Sequence, residues 1–369
     1  MSAITLLGGV SLAVIPAATL SIATRLFTRD EQGAISVAVM IATFVGQLTF
    51  AVVVESRLSS AATERRVTFP LWLAALSVIT SVVVAVNFTN PVVLCIALPV
   101  LLASLEVGRG VSVAERLDKR EVVAAVAVGV GALFGVGVAY LGGTWALIPL
   151  VAGITVATIV RSLPVAHKAS RPEPRVMGWV VTDVAITGII YPLLNAIILP
   201  LLGPTQALLF AAISTVSGLL SIPLNFMRLR LLKAHSTMDI VVSGGSLVLA
   251  MAAIAVCEAL GVFGFIFGSA WSLENTAIPL TVACLWRAAS LATTIPFAAL
   301  RRAGEVRILT LLRAVASGIT FIAALCVLPL QNITWVFAVM LCGELLQTTL
   351  YELTRRRRVS RSRAAAEAP

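Results

Sequence analysis

Twelve apolar stretches, each close to the length of a bilayer core, occupy most of this chain. They run at 3–24, 33–54, 70–88, 91–110, 122–141, 144–163, 177–202, 205–226, 240–260, 276–300, 306–329 and 333–353. About 20 apolar residues in a helix cover the ~30 Å of hydrocarbon in a membrane. Within that layer every backbone N–H and C=O must be satisfied inside the protein, so the stretches are expected as helices. The fold class expected is an all-α integral membrane protein with about 12 transmembrane helices. Composition supports this: only 12% of residues are charged and 59% are apolar, against about 25% and 45–50% in soluble domains. A disordered chain, a coiled coil and almost any soluble globular enzyme are excluded. The gaps are too short for a soluble domain, so function is confined to the helix bundle and its loops. The first stretch lacks the basic leader of a signal peptide and is read as a true span.

The basic residues set an orientation. Of the 27 Lys and Arg residues, 23 lie in or beside the loops after spans 2, 4, 6, 8 and 10 and in the C-terminal tail. Only Arg25 and Arg29 lie on the opposite face, and Arg287 and Arg313 fall within spans. Positive loops face the cytoplasm, so both termini are expected there, in the inner (plasma) membrane. The net charge of +10 thus reflects membrane lipids as partners rather than nucleic acid. The run Arg355 to Arg358 reads as an anchor for anionic headgroups.

Six spans, a proline-containing linker and six more spans make a parallel repeat about an axis along the membrane normal. The expected organisation is an N-terminal six-helix lobe (1–163), a cytoplasmic linker (164–176), a C-terminal six-helix lobe (177–353) and a basic cytoplasmic tail (354–369), with a central cavity between the lobes. The five cysteines show no metal-ligand spacing. The two histidines, His167 and His235, lie in linkers. No cofactor, metal site or catalytic constellation is expected, and the chain is read as a non-enzyme.

Polar residues inside the spans are the candidate functional groups. Span 7 carries Asp183, Thr187, Tyr191 and Asn195 at i, i+4 spacing, a single expected stripe interrupted by Gly188 and Pro192. Span 8 carries Ser214, Ser217, Ser221 and Asn225, and span 2 carries Thr43, Gln47 and Glu55. Small polar stripes also serve as packing faces, and that reading stands beside the functional one. Gly131 and Gly135 in span 5 read as a packing face. Arg287 and Glu344 each sit near mid-span, where a charge must face a cavity or a partner. They either pair with each other, or one binds an anionic substrate or senses a coupling ion. Arg313 is expected to snorkel towards the cytoplasmic surface.

Three stretches carry a resemblance to a known family. They are Arg25-Leu-Phe-Thr-Arg29-Asp-Glu-Gln-Gly33 between spans 1 and 2, Tyr191 to Asn225 including Leu202-Gly-Pro-Thr205, and Phe267-Gly-Ser-Ala-Trp271 with Ala299-Leu-Arg-Arg-Ala-Gly304. Together they resemble the polysaccharide (O-antigen type) flippase branch of the multidrug/oligosaccharidyl-lipid/polysaccharide exporter superfamily. The resemblance implies two lobes, a cavity lined by spans 1, 2, 7 and 8, and movement of a polyprenyl-pyrophosphate-linked glycan from the inner to the outer leaflet. It implies that Arg25 faces the pyrophosphate or sugar, and that glycan-assembly enzymes are possible partners.

The substrate-binding candidates are therefore Arg25, Gln47, Asp183, Tyr191, Asn195, Ser221, Asn225 and Arg287. The ion-coupling candidates are Asp183 and Glu344. The alternative is an ion-coupled drug or small-solute exporter. A membrane-embedded glycan-processing enzyme ranks lower, because no catalytic loop is visible. The major-facilitator Gly-x-x-x-Asp-Arg run is absent between spans 2 and 3, where the chain reads Glu55 to Arg66.

Overall fold

The computed structural model describes residues 3–58, 66–165, 173–224, 237–302 and 305–366. Among these residues the structure is all-helical, and every one of the twelve apolar stretches carries a helix. In chain order they are α1 (Ala3–Leu26), α2 (Arg29–Leu58), α3 (Leu71–Val86), α4 (Pro91–Ala114), α5 (Asp118–Tyr140), α6 (Leu147–Ser162), α7 (Pro174–Leu202), α8 (Pro204–Gly218) and α9 (Thr237–Ala259). A short helix, α10 (Val262–Phe267), follows, then α11 (Leu273–Arg302), α12 (Val306–Val327) and α13 (Ile333–Ala366). Nine helices among the described residues are long and apolar enough to cross a membrane, and α3 and α6 are shorter apolar helices. Leu71, Ile96, Leu133, Leu249 and Leu311 stand largely exposed on the outer faces. Apolar surface of that extent is stable only against lipid, so the chain is a multi-pass membrane protein.

The chain divides into two compact units: Met1–Val216 with Gly261–Ser272, and Ser217–Leu260 with Leu273–Pro369. In the first unit α2 packs on α4, α5 on α6, α1 on α5, and α7 on α2. Leu94, Leu98, Leu101 and Leu105 of α4 alternate by four and three residues and are all buried, the spacing of one helix face. In the second unit α11 packs on α13, α12 on α13, and α9 on α11.

Glycines set the closest approach in the first unit. A Cβ on Gly131 would lie 2.5 Å from the Pro149 carbonyl oxygen, and one on Gly153 would lie 2.5 Å from that of Ala127. A Cβ on Gly135 would meet the Ala146 carbonyl oxygen at 2.7 Å. The glycines of α5 thus let two backbones touch, the packing role expected of them.

Two helices are irregular. Residues Ala51–Glu55 of α2 form a π-helical stretch. In α7, Ile189 separates the helical segments Pro174–Gly188 and Ile190–Leu202. Pro192 has no N–H to offer the Gly188 carbonyl, which loosens the helix there.

Candidate functional site

A polar seam runs between α2 and α7 in the first unit. Asn195 is fully buried, and its Nδ2 donates to Ser36 Oγ at 3.2 Å. Ser36, also fully buried, donates in turn to the Gly33 carbonyl at 2.7 Å. The Asn195 Oδ1 is sealed from solvent and has no hydrogen-bond partner among the described residues. Further along the seam, a Cβ on Gly188 would lie 2.7 Å from Phe44 Cδ2 and 3.2 Å from Gln47 Oε1. Gln47 therefore sits where α7 is loosened. Near the other end, Gly33 would meet Leu199 and Pro204 if it carried a Cβ.

The span 7 stripe divides between environments. Asn195 is buried, Asp183 and Tyr191 are half-buried, and Thr187 is exposed. Four residues at 100° each advance 400°, so every i, i+4 step drifts about 40° around the helix. Over three steps the drift, with the break at Ile189, carries Asn195 onto the α2-facing side and leaves Thr187 off it.

Arg25 closes the end of α1 and is heavily engaged. Its NH1 donates to the Ser21 carbonyl and to the Ile266 carbonyl, both at 2.8 Å. Its NH2 donates to the Phe265 carbonyl, and its guanidinium lies 5.4 Å from the Tyr140 ring centroid. Ser21 Oγ adds a bond to the Ile266 carbonyl at 2.7 Å. The rest of the Arg25–Gly33 motif builds the turn into α2. Thr28 N and Oγ1 both donate to Glu31 Oε2, at 2.8 and 2.9 Å, which forms a capping box. Gln32 Nε2 donates to the Phe27 carbonyl at 2.8 Å.

A buried charged cluster escaped the sequence reading. Arg161, counted with the loop after span 6, is 1% exposed and grips Glu121 through Nε–Oε2 at 3.0 Å and NH2–Oε1 at 2.6 Å. Glu106 lies within electrostatic reach of Arg109 and Arg161. Charge bookkeeping by loop cannot separate a solvated arginine from a buried one at a helix end. The available signal was Glu121 in the first turn of α5 facing Arg161 in the last turn of its neighbour α6.

In the second unit, Ser221 Oγ donates to the Gly218 carbonyl at 2.5 Å, and Asn225 lies outside the described residues. The guanidinium of Arg287 lies 4.0 Å from the Trp286 ring centroid. The pairs Trp286–Phe337, 6.5 Å between centroids, and Thr293–Thr348, 2.6 Å between hydroxyls, link α11 to α13. Arg287 and Glu344 both fall between these two levels, on packed helices. Arg313 does not snorkel as expected: it is 8% exposed, with its guanidinium 4.9 Å from the Phe297 ring. The Phe297 ring under the guanidinium belongs in turn to an apolar cluster with Leu300, Leu309 and Tyr351. Glu258 of α9, also buried, accepts from Thr276 Oγ1 of α11 at 2.5 Å.

No family model matches the chain, and no curated protein matches it. Solved structures do. The chain is similar to an inward-facing multidrug resistance MATE family transporter of the MOP superfamily, with a TM-score of 0.55 and 13% identity over 100% of this chain and 97% of that one. It is similar to a MATE protein in complex with MaD3S, with a TM-score of 0.53 and 13% identity over 98% of both chains. The described residues thus share the helical fold of these MATE transporters.

Proposed function

We propose that this protein is a membrane transporter that flips a polyprenyl-pyrophosphate-linked oligosaccharide or polysaccharide precursor from the inner to the outer leaflet by alternating access. In this reading twelve spans form two six-helix lobes in the plasma membrane, with both termini cytoplasmic. Glycan-assembly enzymes supply the substrate. The observation that carries the reading is the chemistry of the α2–α7 seam. Asn195, Ser36 and Gln47 are neutral groups that both donate and accept hydrogen bonds, and Tyr191, half-buried on the same helix as Asn195, is proposed to join them. Such groups match sugar hydroxyls, which do the same. The Asn195 Oδ1, sealed and without a partner among the described residues, is an acceptor that a sugar hydroxyl would satisfy when the seam opens in transport. Asp183 and Glu344 serve as the coupling carboxylates, Ser221 and Asn225 are further substrate-binding groups, and Arg287 attracts the anionic headgroup.

A second reading is supported by the fold neighbour described as a multidrug resistance transporter. Here the chain exports drugs or small solutes, with Asp183 or Glu344 carrying the coupling ion. Purified protein in proteoliposomes separates the two. The probe is a fluorescent polyprenyl-pyrophosphate disaccharide, followed by quenching in the outer leaflet. Protein-dependent flipping, lost in Asn195→Leu, is expected. Absence of flipping, with ion-driven uptake of a cationic dye, overturns the glycan reading in favour of export.

A further inference from the structure

The segment Gly261–Ser272 is a strap. It belongs by packing to the first unit, although the helices it joins, α9 and α11, belong to the second. Two glycines in the left-handed region bound its helix: Gly261 at φ 71° and Gly268 at φ 78°. Both positions need glycine, because a Cβ is strained there. Phe263 and Phe267 pack on Trp271, at centroid distances of 5.4 and 5.1 Å, so the strap carries its own apolar core. It is a preformed body rather than a slack loop.

The strap docks on α1 and α5 through few groups. Its helix α10 ends with carbonyls that have no partner within a six-residue helix. Those of Phe265 and Ile266 accept from Arg25, and Ile266 also accepts from Ser21. Phe265 lays its ring on Tyr140, 4.6 Å between centroids, and Gly268 rests 3.6 Å (as a built Cβ) from Thr24. A guanidinium suits the end of a helix, where carbonyl dipoles point outward. The same planar fork suits phosphate oxygens better still, because the acceptor is then charged. Arg25 cannot serve both at once.

We propose that the strap is an internal competitor for Arg25. Its 265 and 266 carbonyls occupy the guanidinium when no substrate is bound, and a pyrophosphate headgroup displaces them. Displacement lifts the strap from α1, so headgroup binding is coupled to release of the chain that connects α9 to α11. The competition rests on the transport reading given above. The docking of the strap by Arg25 does not, and the experiment separates them.

Ser21 is fully buried beneath the strap contact, so Ser21→Cys reports on docking. The full chain, with its five native cysteines replaced, is placed in lipid nanodiscs and treated with a membrane-impermeant maleimide. Labelling of Cys at 21 follows the undocked population. Adding Arg25→Ala raises the labelling rate roughly 5-fold or more without any ligand, and Arg25→Lys gives an intermediate rate. Farnesyl pyrophosphate as probe raises labelling when Arg25 is present and has no effect in Arg25→Ala. A second variant guards against misfolding: Phe265→Ala removes the ring on Tyr140 but leaves the Phe265 and Ile266 carbonyls that accept from Arg25 in place. It loosens the strap and tightens apparent binding of the probe, because the closed fraction no longer subtracts from affinity. Unchanged labelling in both Arg25→Ala and Phe265→Ala overturns the latch whatever the substrate. Raised labelling in the variants, with probe that binds wild type but leaves the strap docked, overturns the competition and spares the transport reading. A probe that does not bind wild type at all overturns both the competition and the pyrophosphate reading.

Discussion

Arg161 and Glu121 meet through two parallel contacts, Nε–Oε2 at 3.0 Å and NH2–Oε1 at 2.6 Å, with side chains 0% and 2% exposed. The pair joins the end of α6 to the start of α5, and α1 leans directly on it: a Cβ on Gly8 would collide with Glu121 Oε1. Gly108 of α4 is similarly close, 2.8 Å from Arg161 Cδ as a built Cβ. Four helices of the first unit therefore converge on one ion pair. Removing a single partner leaves a charge sealed from water, which costs about 3–5 kcal/mol. Glu121→Leu and Arg161→Met are each expected to lower the thermal unfolding midpoint in detergent sharply. The double variant is expected to recover most of the loss, since both charges of the pair are then gone and Glu106 keeps Arg109 within electrostatic reach. Additive losses in the double variant would show that the two residues act independently.

The long apolar periodicity made the helices legible, because a bilayer demands about 20 apolar residues per crossing and nothing else in the chain competes with that pattern. The glycines of α5 were legible for a similar reason, since backbone contact requires the absence of a side chain. The charged groups were less so. Arg25, read as facing substrate, donates to carbonyls of the strap some 240 positions away in sequence, a contact that no local pattern announces. Arg161, at a helix end, and Arg313, two turns inside α12, are buried by tertiary packing at depths where sequence position alone suits lipid headgroups equally well. The stripe on α7 was legible in composition but not in direction. Neither the 40° drift per step nor the break at Ile189 shows in a list of spacings.

The α5–α6 crossing predicts a steep size dependence. A Cβ on Gly131 would lie 2.5 Å from the Pro149 carbonyl oxygen and 3.0 Å from the Gly153 Cα, both backbone atoms that cannot rotate away. Gly131→Ala forces the helices apart and costs roughly 1–3 kcal/mol by overpacking, and Gly131→Leu is expected to prevent stable folding. Gly129 and Gly137 have open space around a built Cβ, so Gly129→Ala and Gly137→Ala are expected to be neutral or slightly stabilising through helix propensity. Midpoints from thermal denaturation check the contrast. Equal effects at 129 and 131 would contradict the crossing.

The turn between α1 and α2 is held by the Thr28–Glu31 capping box. Thr28→Ala removes the side-chain half of the box and is expected to cost about 1 kcal/mol, the usual worth of an N-cap. Glu31→Gln keeps the geometry and costs less. Hydrogen exchange at the first turn of α2 should rise in Thr28→Ala and stay near wild type in Glu31→Gln. Equal protection in both variants would mean that the box does not hold the turn.

Asn195 separates packing from function most cleanly. Its side-chain bond to Ser36 Oγ is 3.2 Å long, and such bonds between membrane helices average about 0.6 kcal/mol. Against that gain stands a buried carbonyl oxygen with no donor among the described residues, a burden of about 1–3 kcal/mol. A residue selected for packing alone would be apolar here. Asn195→Leu is therefore expected to leave the unfolding free energy within about 1 kcal/mol of wild type, or to raise it, while abolishing transport of the pyrophosphate-linked glycan probe. Ser36→Ala removes the partner but not the free acceptor, so it is expected to reduce transport less than Asn195→Leu does. Thermal denaturation and the liposome flipping assay, run on the same preparations, give both numbers. A large loss of stability in Asn195→Leu would make the residue a packing node, and undiminished flipping would remove it from the substrate path.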